Sequence, residues 1–408
     1  MRVTRVYHAG RSGGHRARER ALAQLGVEVT LIVPKSWSEG GGDTVIQDEP
    51  FTVVELDVTR PGDVNRHTYR DSSALAAAIE ASRPDLVDVH EEPFSAVTRQ
   101  VLAALPKRVP VVGYAAQNVD KRYPPPFTQW EQRAYGRLVG VYPCSRQAAA
   151  VLRRRGFGGL VKVLDLGFDP TLFRPGAQVH EDVWQVALVG RLVPEKGVRD
   201  ALIAAGALIG RRPARIVLAG SGPLSDRISL WAEELGIAHL VELRSWLSPA
   251  EVADLYRNSH AVLVPSSSTS RWTEQYGRMI VEAQASGSVV VGYSSGSIGE
   301  VSAGAALLAA ESDIAGLSRA LVDLASSAEL WNGLRRRGFL TSARASWPSV
   351  AGAQLDLYER SVQEAAVPRG ARQRSTEFGR PAQLRGVDRP FALPILRNAR
   401  WLARAVKP

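Results

Sequence analysis

Two carboxylates, Glu274 and Glu282, stand eight residues apart in the stretch WTEQYGRMIVEAQASGSVVVG, with a glycine between them and an apolar run behind. Eight residues make about two turns of a continuous helix. Gly277 interrupts the pattern, and Met279 to Ala285 reads as the opening of a buried helix. This predicts Glu274 in the loop before a helix and Glu282 in its first turns, both bordering one pocket at the helix N-terminus. Free backbone N–H groups there favour an anion. Two acids beside an anion site suit a ligand that also carries hydroxyl donors, and a sugar joined to a nucleotide diphosphate offers both.

A second set of residues fits the same ligand. In VGRLVPEKGVRDALIAA, Arg191 directly follows an apolar strand pattern and Lys196 opens the next helical stretch. Two cations converging with a helix N-terminus are what a diphosphate needs, and they would stabilise charge developing on a nucleotide leaving group. Taken alone, such a pair reads equally well as a solvated surface turn; together with the two glutamates it forms a more specific pattern. Carboxylates accept paired hydrogen bonds from sugar diols, and a charge near the anomeric carbon favours an oxocarbenium-like transition state. The chain has no Asp-x-Asp, and its seven histidines show no His-x-x-x-His spacing. No metal is therefore expected, with Arg191 and Lys196 taking its place on the diphosphate.

The elements that must position these residues are legible as alternation. RVTRVYH, VEVTLIVP, PDLVDVH and VPVVGYAAQ read as strands in the first half, separated by helical stretches such as GHRARERALAQLG, and Ala134 to Val141 leads to another. After the Gly- and Pro-rich segment Leu164 to Gln178 the pattern restarts with VWQVALVGR, RIVLAGSG, LVELRS, AVLVPSS and SVVVGYS. This predicts two doubly wound α/β domains, each a parallel sheet covered by helices, facing across a cleft. Ligands in such sheets sit beyond the carboxyl ends of the strands. The cleft-lining candidates are thus His8 to Gly14, His90-Glu91 and Gln117-Asn118 from the first domain, and Gly190-Arg191, Gly220 to Gly222, Ser245-Trp246, Pro265 to Thr269 and the Glu274 loop from the second. The expected divisions are residues 1–178, 179–346, a final helix at 347–365 and a basic tail at 366–408.

Composition narrows the class. Hydrophobic residues at 45% and charged residues at 23% describe a soluble globular chain long enough for two cores. The N-terminus MRVTRVYHAG reads as a strand rather than a leader, no window reaches transmembrane length, and a single Cys144 suits a reducing cytoplasm. The formal charge of +10 suggests nucleic acid until it is located. From Ala366 onward ten Lys/Arg face two Asp/Glu, so the tail carries +8 and the body is nearly balanced. No nucleic-acid partner is expected. Within the tail, residues 394–407 place Ile395, Leu396, Ala399, Leu402, Ala403 and Val406 on one helical face and Arg397, Arg400, Arg404 and Lys407 on the other. That pattern suits either a helix lying on an anionic membrane surface, making the protein peripheral on the cytoplasmic face, or one docked on the protein's own body.

From Met1 to about Val362 the chain resembles the family-4 retaining glycosyltransferases of GT-B architecture. The likeness is carried by HAGRSGGHRARERALAQLGVEVTLIVP, LGFDPTLFRP, VGRLVPEKG, AGSGPL, LSPAEVADLY, the Glu274–Glu282 segment, SGSIGEV and WPSVAGAQLDLYERSV. The resemblance implies transfer of a sugar from a nucleotide-diphosphate donor, with retention of anomeric configuration and without a metal or other cofactor, to a glycan, lipid-linked or small-molecule acceptor. It implies that Arg191 and Lys196 hold the diphosphate, Glu282 the ribose hydroxyls, and Glu274 with the backbone of Tyr276, Gly277, Arg278 and Met279 the transferred sugar. It further implies that Ser245 to Leu247, including Trp246, lies beside the base, that Gly13 and Gly14 close over the donor, and that the final helix crosses back to the first domain. Members often carry a histidine near the anomeric carbon where this chain has Ala116, Gln117 and Asn118. Either Gln117 or Asn118 supplies a neutral hydrogen bond there, or His90 turns in, or His90 is simply a core histidine. A nucleotide-sugar epimerase or hydrolase using Glu91 and Glu92, and a non-catalytic sugar-nucleotide-binding partner, are the alternatives. A dehydrogenase is disfavoured because HAGRSGGHR does not give Gly-x-Gly-x-x-Gly.

Overall fold

The computed structural model describes residues 1–37, 48–176 and 182–366. Two parallel sheets organise it. The first runs, in spatial order, Thr52–Leu56, Glu28–Pro34, Arg2–Val6, Leu86–Val89, Val111–Ala115, Gly140–Pro143 and Leu160–Val161. The second runs Val241–Arg244, Ala214–Ala219, Trp184–Val189, Ala261–Val264, Val289–Tyr293 and Ala306–Ala309. Counted along the chain within each sheet, both follow the order 3-2-1-4-5-6, the doubly wound Rossmann pattern, with one further strand on the first. Central strands such as Val289–Tyr293 are buried along their whole length, which is why they read as unbroken apolar runs.

Each sheet has a core on both faces. On the second, Val186, Leu188, Ile216 and Leu263 join one cluster while the alternate residues Ala187, Val217, Val262 and Val264 join the other. This two-residue alternation follows from the strand geometry. Three strands of the two parallel sheets escaped the sequence reading, as did the short antiparallel pair Val58–Thr59 and Thr68–Tyr69. Thr52–Leu56 and Ala306–Ala309 are partly exposed edge strands, and Leu160–Val161 has only two residues, so none shows the long buried run that marks the central strands.

The last helix, Trp347–Ala366, returns to the first domain. Ala351, Leu357 and Tyr358 are buried with Val3, Leu22, Leu86 and Tyr142. A polar knot lies under the helix. Asp88 pairs with Arg5 at 3.0 Å and accepts hydrogen bonds from Tyr142 at 2.6 Å, Tyr358 at 2.5 Å and Gln354 at 3.1 Å. Arg5 also pairs with Glu19 at 2.6 Å, so one buried guanidinium serves two buried carboxylates. The outgoing and returning connections touch: Phe168 N–H donates to Ala345 and Trp347 N–H donates to the Phe168 carbonyl. The amphipathic pattern at 394–407 lies outside the described residues. Among the described residues no helix is long and apolar enough to cross a membrane.

Candidate active site at the carboxyl ends of the second sheet

Trp184–Val189 and Ala261–Val264 are neighbours in the sheet, and between them the strand order reverses. A crevice opens beyond such a reversal. Here Leu188, Val189, Gly190, Arg191 and Lys196 from one side, and Leu263, Val264, Pro265, Ser266 and Met279 from the other, line a single pocket. Lys196 reaches it because Gly197 turns the chain at φ 63° before the helix Val198–Gly206; a Cβ at that glycine would lie 2.1 Å from the Pro265 carbonyl oxygen. Gly277, at φ 79°, does the same before the helix Arg278–Ser286. Both connections therefore approach closely enough to share one cavity.

Glu274 lies in the loop before that second helix and Glu282 within it. Glu274 is 7% exposed, pairs with Lys196 Nζ at 2.5 Å and accepts from Ser266 Oγ at 3.2 Å. The Lys196 ammonium also faces the Trp272 ring, 5.4 Å from its centre. The residues assigned separately to diphosphate and sugar are thus in contact. Glu282 pairs with Arg278 at 3.0 Å; burial pushes its carboxyl up, and Arg278 opposes this.

The remaining candidates divide. Arg191 is exposed at the pocket rim and Met279 lines the pocket. Tyr276 is buried with its hydroxyl donating to Asp165 at 2.9 Å, so its backbone rather than its ring borders the loop. Trp246 is 77% exposed, a free aromatic face, whereas Leu247 packs against the core. Gly13 and Gly14 begin a short 3-10 turn after the first strand, pinned by Arg20 donating to the Gly13 carbonyl. Asn118 is buried and spans the two domains: its Nδ2 donates to the Glu274 carbonyl at 2.9 Å and to Gln147 at 3.1 Å. The neighbouring Gln117 accepts from the Val119 N–H. His90 stacks on Tyr114 and meets Tyr7 edge-on, its Nδ1 2.8 Å from the Tyr142 oxygen, and burial pushes its pKa well down. Because Tyr142 donates its own proton to Asp88, His90 donates to Tyr142 and joins the polar knot as a neutral ring.

Trp272 had no sequence signal of its own, whereas Ser266 falls in the strand-end stretch Pro265 to Thr269; the fold places both beside Lys196 and Glu274. In the first domain Glu91 and Glu92 turn to different partners. Glu91 takes His8 at 2.7 Å, while Glu92 accepts from the Ala116 N–H at 2.9 Å and is pushed up to about 7 by burial.

Two facing Rossmann-like sheets with a cationic pocket at the second switch point make this a GT-B fold. Residues 19–172 match the family described as Glycosyltransferase Family 4 and residues 171–339 the family described as Glycosyl transferases group 1. Together these matches span both domains, and the chain belongs to the family-4 glycosyltransferases. A D-inositol 3-phosphate glycosyltransferase of Catenulispora acidiphila is 28% identical over 240 residues, 54% of this chain and 55% of that one. Matches to the curated relatives span from about a third to just over half of their lengths. Sucrose-phosphate synthase from Thermosynechococcus elongatus superposes with a TM-score of 0.67 at 18% identity, covering 88% of this chain and 98% of that one. Anabaena HepE, crystallised in complex with UDP-glucose, gives 0.64 at 16% identity, covering 88% and 100%.

Proposed function

We propose that the chain transfers a sugar, with retention of configuration, from a nucleoside-diphosphate donor held by the second domain to a hydroxyl acceptor bound by the first. The observation that carries this reading is the Lys196–Glu274 pair, whose lysine lines a pocket together with Arg191. An incoming diphosphate competes for the Lys196 ammonium and frees the Glu274 carboxylate for sugar hydroxyls. Arg191 and Lys196 then face the charge that builds on the departing diphosphate, so stabilisation is greatest where the transition state is most ionic. No metal is needed on the diphosphate in this scheme. Glu282 takes the ribose diol and the free face of Trp246 stacks on the base. Asn118, bound to the Glu274 carbonyl, keeps the sugar-binding loop in register with the first domain.

The complex of HepE with UDP-glucose supports a UDP-sugar as the first donor to try, and the inositol phosphate relatives support a small hydroxylated acceptor alongside glycan or lipid-linked ones. The basic tail would bring the enzyme to an anionic membrane face. The test is a thermal-shift panel of UDP-, GDP-, ADP- and dTDP-sugars, with and without EDTA, since a ligand bound to the native state raises the melting temperature. One nucleotide class should stabilise the protein equally with and without chelator. No shift with any donor would refute the reading, and a shift abolished by EDTA would refute its metal-free part.

A further inference from the structure

The first domain gathers three side chains that the donor site does not use. His8 follows the strand Arg2–Val6, Glu91 follows the adjacent strand Leu86–Val89, and His67 precedes the short strand Thr68–Tyr69. One ligand-capable atom from each lies within 4.8 Å of the others. Glu91 accepts from the His8 backbone N–H at 2.8 Å, and its two carboxylate oxygens stand 2.7 and 2.8 Å from His8 Nδ1. His67 Nδ1 lies 3.0 Å from the Asp63 carbonyl oxygen. A carbonyl can only accept, so Nδ1 carries the proton and the lone pair of the neutral ring is on Nε2. An imidazole fixed through one nitrogen on a backbone carbonyl, with the other left basic, is the arrangement that outer partners impose on metal-binding histidines.

We propose that His8, His67 and Glu91 form a three-ligand site for a first-row divalent cation such as zinc, distinct from the Arg191–Lys196 pocket. The chemistry of the set fits: two imidazoles and one carboxylate suit a borderline ion, and the carboxylate offsets part of its charge. The spacing fits as well. A tetrahedral ion with bonds of about 2.0–2.1 Å holds its ligand atoms roughly 3.3 Å apart. His8 Nδ1 and Glu91 stand at hydrogen-bond distance, so the ion would displace the proton between them and part the two atoms by about 0.5 Å, while His67, within 4.8 Å, would move inward. Trp37 packs against both imidazoles, with ring centres 4.7 and 4.8 Å away. His67 and Glu91 are buried while the His8 side chain is 16% exposed, so the cluster meets the surface on the His8 side. The competing reading is a His8–Glu91 ion pair packed under Trp37 with no affinity for metal.

The full chain, stripped on a chelating resin and titrated with Co²⁺ alone, separates the two. Visible d–d absorption should saturate at one equivalent and be displaced by Zn²⁺. Changes to outer partners alone cost about 10- to 100-fold in metal affinity, so His67→Ala should weaken binding by at least about 100-fold. His8→Gln, at the exposed rim and least coupled to folding, should do the same, with near-ultraviolet circular dichroism confirming its fold. The exposed His239 is the control, and His239→Ala should bind as the parent does. Binding well below one equivalent, or unchanged in His8→Gln, or lost in His239→Ala, would overturn the proposal. None of these outcomes depends on sugar transfer, so the metal site and the donor site fail or stand separately.

Discussion

Replacing Lys196 with methionine keeps most of the side-chain volume and removes the charge opposite Glu274. The two side chains are 12% and 10% exposed, so the carboxylate is left largely desolvated with the Ser266 hydroxyl as its remaining side-chain donor. Breaking a buried pair from one side costs about 3–5 kcal/mol. The retained Ser266 bond and partial access to the cleft reduce this, so we expect about 2–3 kcal/mol of lost stability in the donor-free protein. Adding Glu274→Gln removes the stranded charge while keeping an acceptor for Ser266. The double variant should therefore recover to within about 1 kcal/mol of the parent, a coupling of about 2 kcal/mol. Urea unfolding measures it as a shift in midpoint at unchanged slope. A Lys196→Met variant within about 0.5 kcal/mol of the parent, or a double variant showing the sum of both single losses, would refute the buried-pair reasoning.

Arg191→Ala should lower turnover by about 10²-fold or more, without rescue by Mg²⁺, because the guanidinium faces charge that develops on departure; near-normal steady-state rates would contradict this. Glu282→Ala should raise the donor KM more than it lowers kcat, the pattern of lost uniform binding, and an unchanged KM would count against ribose contact. Burial raises the Glu92 carboxyl from 4.5 to about 7, so the native state holds the proton more tightly than the unfolded chain. Its contribution to stability is complete below the unfolded value and is lost as pH rises to about 7; Glu92→Gln should abolish that decline and gain up to about 3 kcal/mol at pH 8. Superimposable stability profiles of parent and variant between pH 5 and 7.5 would rule it out. Finally, the full chain should co-sediment with anionic vesicles in a salt-sensitive way and a chain ending at Ala366 should not, each cation near the headgroups adding about 1 kcal/mol; equal binding of both would exclude a tail anchor.

The sequence alone determined the features that rest on local rules. Unbroken apolar runs such as VVVGY mark buried parallel strands, Gly277 separates a loop acid from a helix acid, and Arg191 and Lys196 fall just after a strand because ligand residues gather at strand ends. These are short-range consequences of periodicity, glycine conformation and βαβ geometry, and they yielded the two-domain fold and the candidate donor-site residues. The tertiary structure decided which side chains meet. Lys196 reaches Glu274 across 78 positions of chain, and Asn118 reaches the Glu274 carbonyl across 156. For His90 the sequence left a cleft residue and a core histidine open, and the returning helix brings Tyr358 to Asp88 and closes a polar knot that holds the imidazole through Tyr142. His8, His67 and Glu91 share no spacing rule, because they arrive from two adjacent strand ends and a separate turn. Spacing reports neighbours only while one helix or strand carries both residues; once the sheet order 3-2-1-4 folds distant ends together, contact is set by packing.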